Sequence, residues 1–421
     1  MSLHVGATSM RAFVLSLIAL SLSAACGAPE SSPSIAVPRG PVAPVVAATA
    51  SAIAPVVPSS AAKATRKTPR IVQLSPSDAS CGLDAEGRVW ELVVGKMEPE
   101  VPSLVGAKSI ACGMLHTCVV TAEGTMSCWG NNAYGGLGDG TEKNRFEPGP
   151  VVGLGQVAEI GVDYARTCAR TPTGDVYCWG DSEFGKAGDG RLPDNVGREK
   201  TKPGKAILAG AATLSVGSAH ACSAMPDGRV SCWGQNTSGA CGQPVATRYV
   251  PRPAFVPKLS NVAMVRAGAQ ATCTIDRQGK VACFGHAGTG LLGPNGPSGD
   301  VASSSTPVTI PLPWPAVEIA IGGSTHACAR LARGEVACWG QNDHGQLGDG
   351  TTKESRAPLL VRGLPGPATA ISLGLEKSCA LVDGRVLCWG KGVVRRDEHS
   401  FPDDSAEPIE VLVEGAFRKG R

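Results

Sequence analysis

Aromatic residues make up only 4% of this 421-residue chain, so neither a large aromatic core nor an array of exposed sugar-stacking rings is expected. Charge of one sign is also scarce: 39 Lys and Arg against 36 Asp and Glu leave a net charge of +3. With no basic run interleaved with aromatics, a nucleic-acid partner is excluded. Also missing are a nucleophile elbow, a paired-carboxylate constellation, a phosphate-cradling loop and metal-ligand spacing. No catalytic residue, bound metal or cofactor is therefore expected. The apolar run from Ala12 to Leu22, behind Arg11, is too short to span a bilayer and has the length of a signal-peptide core. Residues 27–70 contain no aromatic and are mostly Ala, Pro, Ser and Val. Such a segment buries too little surface to offset its ordering entropy, and residues 26–70 are expected to form a disordered linker.

What the chain has in quantity is glycine, 54 residues, and cysteine, 16. Twelve cysteines fall into six pairs: Cys118 and Cys128, Cys168 and Cys178, Cys222 and Cys232, Cys273 and Cys283, Cys328 and Cys338, Cys379 and Cys388. The first members lie 50, 54, 51, 55 and 51 residues apart, which marks an array of one supersecondary unit. Between the paired cysteines stands a turn ending in glycine, such as Ala122-Glu123-Gly124. Glycine supplies the positive φ of a three-residue hairpin loop, so each unit contains a β-hairpin. Counting outward from the turn sets Cys118 opposite Cys128. In the last unit the turn shortens to Asp383-Gly384 and the spacing drops to nine, so Cys379 again faces Cys388. Facing cysteines at a non-hydrogen-bonded pair have Cα atoms about 4.5 Å apart, within disulfide range, and six cross-strand disulfides are predicted. Each should stabilise its hairpin by roughly 2–3 kcal/mol.

After each hairpin comes a glycine-rich segment, a proline-marked apolar strand (Pro148 to Leu154, Pro358 to Leu364) and a short strand (Val157 to Val162) that enters the next hairpin. Four short strands per repeat are the signature of a propeller blade. The stations Cys338-Trp339-Gly340-Gln341-Asn342, Gly345-Gln346-Leu347-Gly348, and Gly113 with His116-Thr117 resemble the repeats of the regulator of chromosome condensation family. The likeness spans residues 71–415 and implies an all-β, seven-bladed propeller followed by a tail at 416–421. It departs from the family in its added cysteines and in Phe284, which replaces a repeat tryptophan.

The first unit is degenerate: Cys81 has Glu91 where the others have a second cysteine. The terminal strands Ile71–Leu74 and Pro408–Val413 are expected to complete one blade and so close the ring. Alternation along a strand should send Cys128 and Trp129 into opposite inter-blade layers, where the tryptophans pack. The recurring His116, His220 and His326 are expected to form structural hydrogen bonds. The Asp-Gly-Thr at 139–141 and 349–351 reads as turn chemistry, because it lacks the acidic ligands of a calcium cage.

Ser23-Ala24-Ala25-Cys26 after the apolar run resembles a bacterial lipoprotein signal, implying a signal peptide at 1–25 and lipidation of Cys26. The departure is Leu22, one position too far from the cysteine. Localisation is therefore expected to be a membrane-anchored lipoprotein in the bacterial envelope, at the outer membrane or in the periplasm, with secretion as the alternative. Both compartments permit disulfides. Of the remaining cysteines, Cys241 takes a station held by Leu137 and Leu347 and is expected to be buried, while Cys81 and Cys112 can form an extra disulfide.

Export is incompatible with the nuclear exchange-factor and chromatin roles of the family's eukaryotic namesake. The expected function is a non-catalytic, monomeric protein-binding scaffold whose loop face meets an unknown protein partner. The alternatives are a carbohydrate-binding or carbohydrate-active envelope propeller and a purely structural lipoprotein. Insertions in repeat proteins map to binding loops, which singles out Arg191 to Lys205, Pro294 to Pro315 and Lys391 to Asp404.

Overall fold

The computed structural model describes residues 70–75, 81–93, 96–99, 104–192, 200–299, 302–394 and 403–411. The expected signal peptide with Cys26, the linker up to residue 69 and the tail at 416–421 lie outside the described residues. The described chain is all-β and forms seven antiparallel sheets, the blades of a seven-bladed β-propeller. The second blade is typical, running outward through Ala107–Cys112, His116–Thr121, Met126–Gly130 and Arg145–Pro150. Six sheets have four strands. In the third blade three strands pair, and the outer edge is marked by the bridges Val176 with Leu208 and Gly180 with Lys200.

The hairpins have the register that cysteine spacing predicts. Cys118 pairs with Cys128, and Gly124 adopts a φ of 81° in the turn. Cys168 likewise faces Cys178, Cys222 faces Cys232, Cys273 faces Cys283 and Cys328 faces Cys338. In the seventh blade Val382 pairs with Arg385 around Asp383 and Gly384, both at positive φ, so Cys379 still meets Cys388. Outer strands begin earlier than the prolines suggest, at Arg145 and Ser355, because an edge strand tolerates an interior proline.

The expectation that the two chain ends share a blade is corrected. Ile71–Leu74 is the inner strand of the first blade, and Asp403–Glu410 is the outer strand of the seventh, each within its own sheet. The repeat is phased with the short strand innermost and the proline-marked strand outermost, so every blade is contiguous in sequence. Closure comes instead from packing of the terminal blades: Ile71, Leu74 and Leu92 pack with Cys379, Leu381 and Cys388, and Ile71 N donates to Gly384 O at 3.1 Å.

An open stack of seven blades would have six inter-blade layers, whereas a ring has seven. The buried apolar residues form seven clusters, each shared by two neighbouring blades. Cys118 and Cys128 pack against Trp179 of the next blade, while Trp129 packs on Cys81 and Cys112 of the previous layer. Cys168 and Cys178 meet Trp233, Cys222 and Cys232 meet Phe284, Cys273 and Cys283 meet Trp339, and Cys328 and Cys338 meet Trp389. Each cysteine pair thus forms the floor on which the next blade's large ring rests, which lets a chain poor in aromatics fill its core.

Candidate functional site

Between neighbouring blades the hydrogen bonds repeat as regularly as the apolar contacts. His116 Nε2 lies 2.6 Å from Thr167 Oγ1, His220 Nε2 2.6 Å from Thr272 Oγ1, and His326 Nε2 2.9 Å from Ser378 Oγ. Each hydroxyl donates its one proton to a carbonyl of the glycine-rich loop, of Gly136, Ala240 or Gln346. The histidine must therefore be the donor, as the neutral Nε2–H tautomer. Burial lowers His116 to about 4 and His326 to about 3. Burial, reinforced by the Arg166 charge, lowers His220 to about 3. The expected structural role of these histidines holds. Trp179 and Trp389 donate Nε1–H to the same carbonyls of Gly136 and Gln346.

The third blade departs from this pattern. Arg166 occupies the histidine station, its side chain fully buried, and forms a 2.9 Å ion pair with Asp163. It also donates to the carbonyls of Lys186, Gly217 and His220. The next blade correspondingly carries Ala221 where the other partners carry a hydroxyl. Asp163 stands where the second and fourth blades have Gly113 and Gly217. At Gly217 a Cβ would collide with the carbonyl oxygen of Gly268, so the inner backbones approach closely there.

In the six stapled hairpins, Cys222 with Cys232 among them, the Cα separations are 4.0–4.1 Å, compatible with disulfides. Cys81 pairs with Cys112 of the next blade at 6.4 Å, and Cys81 faces Glu91 within its own hairpin. Cys241 is a free, buried thiol whose pKa is raised by burial. The Asp-Gly-Thr segments are turns: Asp139 and Asp349 accept from the backbone N–H of Thr141 and Thr351 and from the buried Asn132 and Asn342.

Of the three segments expected to contact a partner, parts lie outside the described residues: 193–199, 300–301 and 395–402. Much of Pro294 to Pro315 is the eight-residue outer strand Ser303–Ile310, and Arg356 holds the preceding turn through the carbonyls of Gly293, Gly296 and Pro297. In Lys391 to Asp404, Lys391 pairs with Glu376 at 2.5 Å, and Asp404 with His344 at 2.7 Å. Arg191 and Lys200 share Asp189 beside the exposed Arg252.

The inner strands line a central cavity of about 370 Å³. Its rim is built by the turns joining each inner strand to its hairpin. There Met114 (67% exposed), Tyr164 (48%) and Leu375 (62%) form an apolar crescent, while Ser218 and Ala269 face them. Sequence inspection missed this crescent, because a lone Met, Tyr or Leu in a turn carries no signal until the ring brings equivalent turns together.

The regulator of chromosome condensation (RCC1) repeat matches residues 107–135, 212–243, 316–346 and 333–381. The chain is an RCC1-like repeat propeller. It is 28% identical over 296 residues to the human E3 ubiquitin-protein ligase HERC2, covering 68% of this chain and 5% of HERC2. It is 30% identical over 210 residues to the Arabidopsis thaliana ultraviolet-B receptor UVR8, covering 47% of this chain and 44% of the receptor. Thus the propeller spans less than half the length of these relatives. In fold it is similar to Prp20p from Saccharomyces cerevisiae, with a TM-score of 0.66 at 21% identity over 76% of this chain and 81% of Prp20p. Human WBSCR16 gives 0.66 at 21% identity over 76% and 86% of the two chains. Prp20p has been studied for its binding to Gsp1p and histones.

Proposed function

We propose that this RCC1-like propeller is an exported, non-catalytic scaffold, lipid-anchored through Cys26, that binds a protein partner on the face carrying the apolar crescent. The observation behind the binding role is the crescent itself. Met114, Tyr164 and Leu375 are exposed at the rim of one cavity, and apolar side chains gathered around one opening mark interaction sites. The protein-binding relatives of the fold support this class of role. Export is supported by the cysteine pairs, which persist in an oxidising compartment, and by the Ala12–Leu22 run before Cys26.

The carbohydrate reading is disfavoured by the exposed aromatics of the opposite face. Trp314 is covered by the Arg333 guanidinium at 4.1 Å and Phe255 by that of Arg229 at 4.1 Å, so both rings already have a cationic partner. Full-length protein, affinity-captured from an envelope extract, should retain one stoichiometric protein that Met114→Ser/Leu375→Ser releases. Radiolabelled palmitate should enter the wild type and not Cys26→Ser. Retention only on glycan matrices, or recovery of the protein in the cytosolic fraction, would overturn the binding and export readings respectively.

A further inference from the structure

At the inner-strand position paired with the first hairpin cysteine, the blades carry small residues: Ala111, Gly161, Ser215, Ala320 and Ser372, with Ser75 at the matching place in the first blade. The fifth blade carries Arg266, opposite Cys273. Arg266 is partly buried and lines the central cavity.

The charges around this cavity are matched with one exception. Glu159 pairs with Arg170 at 2.9 Å and Glu318 with Arg330 at 2.8 Å, each across its own strand pair, and Asp163 pairs with Arg166 at 2.9 Å. Among the described residues, every acid lining the cavity therefore has its own arginine. Among the described residues Arg266 has no acidic partner, and its cross-strand neighbour is a cysteine that pairs with Cys283. Its guanidinium donates to the carbonyl of Val265 at 3.2 Å, and that is its one hydrogen bond among the described residues. A guanidinium has five N–H donors in a planar fork suited to a carboxylate. The cavity volume of about 370 Å³ is within the range of small-ligand pockets.

We propose that the central cavity binds a carboxylate carried on a short apolar body, with the carboxylate on Arg266 and the apolar part against Met114, Tyr164 and Leu375. Arg266 precedes the rim residue Ala269 by three positions, which along a strand is about 10 Å. That depth suits either the last few residues of a polypeptide ending in an apolar amino acid or a free acid of similar length. The site shares Met114, Tyr164 and Leu375 with the face proposed for the partner, and Arg266, which that reading does not use, tells the two apart.

Isothermal titration of the full chain with an octapeptide ending in leucine, as free carboxylate and as C-terminal amide, tests the assignment. N-acetyl-leucine and N-acetyl-leucinamide form the second arm. In at least one arm the carboxylate should bind about 10- to 100-fold tighter than its amide, the discrimination expected for a charge-assisted contact. Arg266→Ala should erase that preference. This variant restores the residue of the second and sixth blades, and an unchanged melting curve would separate loss of binding from loss of fold. A peptide binding more tightly than N-acetyl-leucine identifies a chain end, and equal affinities identify a free acid. Equal binding of acid and amide in both arms, retained preference in Arg266→Ala, or no heat from any of the four compounds would overturn the proposal.

Discussion

Mild acid should destabilise the propeller through its three inter-blade histidines. Each is buried as the neutral Nε2–H tautomer, and Nδ1 of His116 and of His220 has no hydrogen-bond partner. Protonation would place a charge and an unanswered N–H in the layer between blades. The folded values of about 4 for His116 and about 3 for His220 and His326 lie below the unfolded value near 6.5. Their full contribution to stability is therefore present above pH 6.5. It falls as the pH drops below that value, because the unfolded chain takes up protons that the folded one refuses, and the loss levels off only near the folded values. At pH 5.5 each histidine should cost about 1.4 kcal/mol and the three together about 4 kcal/mol. A suitable reference replaces each pair together: His116→Ala/Thr167→Ala, His220→Ala/Thr272→Ala and His326→Ala/Ser378→Ala. Ala271 and Ala327 already form such a pair between the fifth and sixth blades. Urea unfolding at pH 7.5 and 5.5 would measure both proteins. The wild type should lose about 4 kcal/mol more between the two pH values than the six-fold variant. Asp163, whose carboxyl burial raises despite the Arg166 charge, is common to both and cancels in the difference. Equal losses in the two proteins would refute the reasoning.

Replacing Cys168 and Cys178 together by serine should lower stability by about 2–3 kcal/mol more under oxidising conditions than under strong reductant, where only the cost of two hydroxyls buried against Trp233 remains, as read from denaturant midpoints. Arg166→Met leaves the Asp163 carboxyl buried without its partner and should cost about 3–5 kcal/mol in the same assay. The triple change Asp163→Gly/Arg166→His/Ala221→Thr installs the glycine, histidine and hydroxyl of the standard inter-blade contact and should recover most of that loss.

The hairpins were legible in the sequence because one number, the cysteine spacing, changed together with turn length in the last unit. The phase of the repeat was not legible. Ile71–Leu74 and the proline-marked strands recur with the same period wherever a blade is said to begin, and only the hydrogen-bond ladder shows that each inner strand joins the hairpin that follows it. The inter-blade contact left a trace that went unread. Where a described blade has His116, His220 or His326, the residue just before the next blade's first hairpin cysteine is Thr167, Thr272 or Ser378. After Arg166 and Ala271 the same place holds Ala221 and Ala327. Arg266 was invisible for a different reason. A single arginine in Met264-Val265-Arg266-Ala267 is unremarkable until register sets it opposite a cysteine and among six small residues.

The contiguity of the blades bears on how the thiols find their partners. In each stapled hairpin the correct partner is nine or ten residues away, and apart from Cys112, six residues before Cys118, and Cys241, nine after Cys232, no other cysteine is as near, so loop closure favours it as the chain emerges. Only the Cys81–Cys112 pair, 31 residues apart, has to wait for a second blade. A nascent chain can thus seal its sheets one after another, from the amino end onward, with little need for reshuffling. The last event left to it is the meeting of Ile71 with the turn at Gly384.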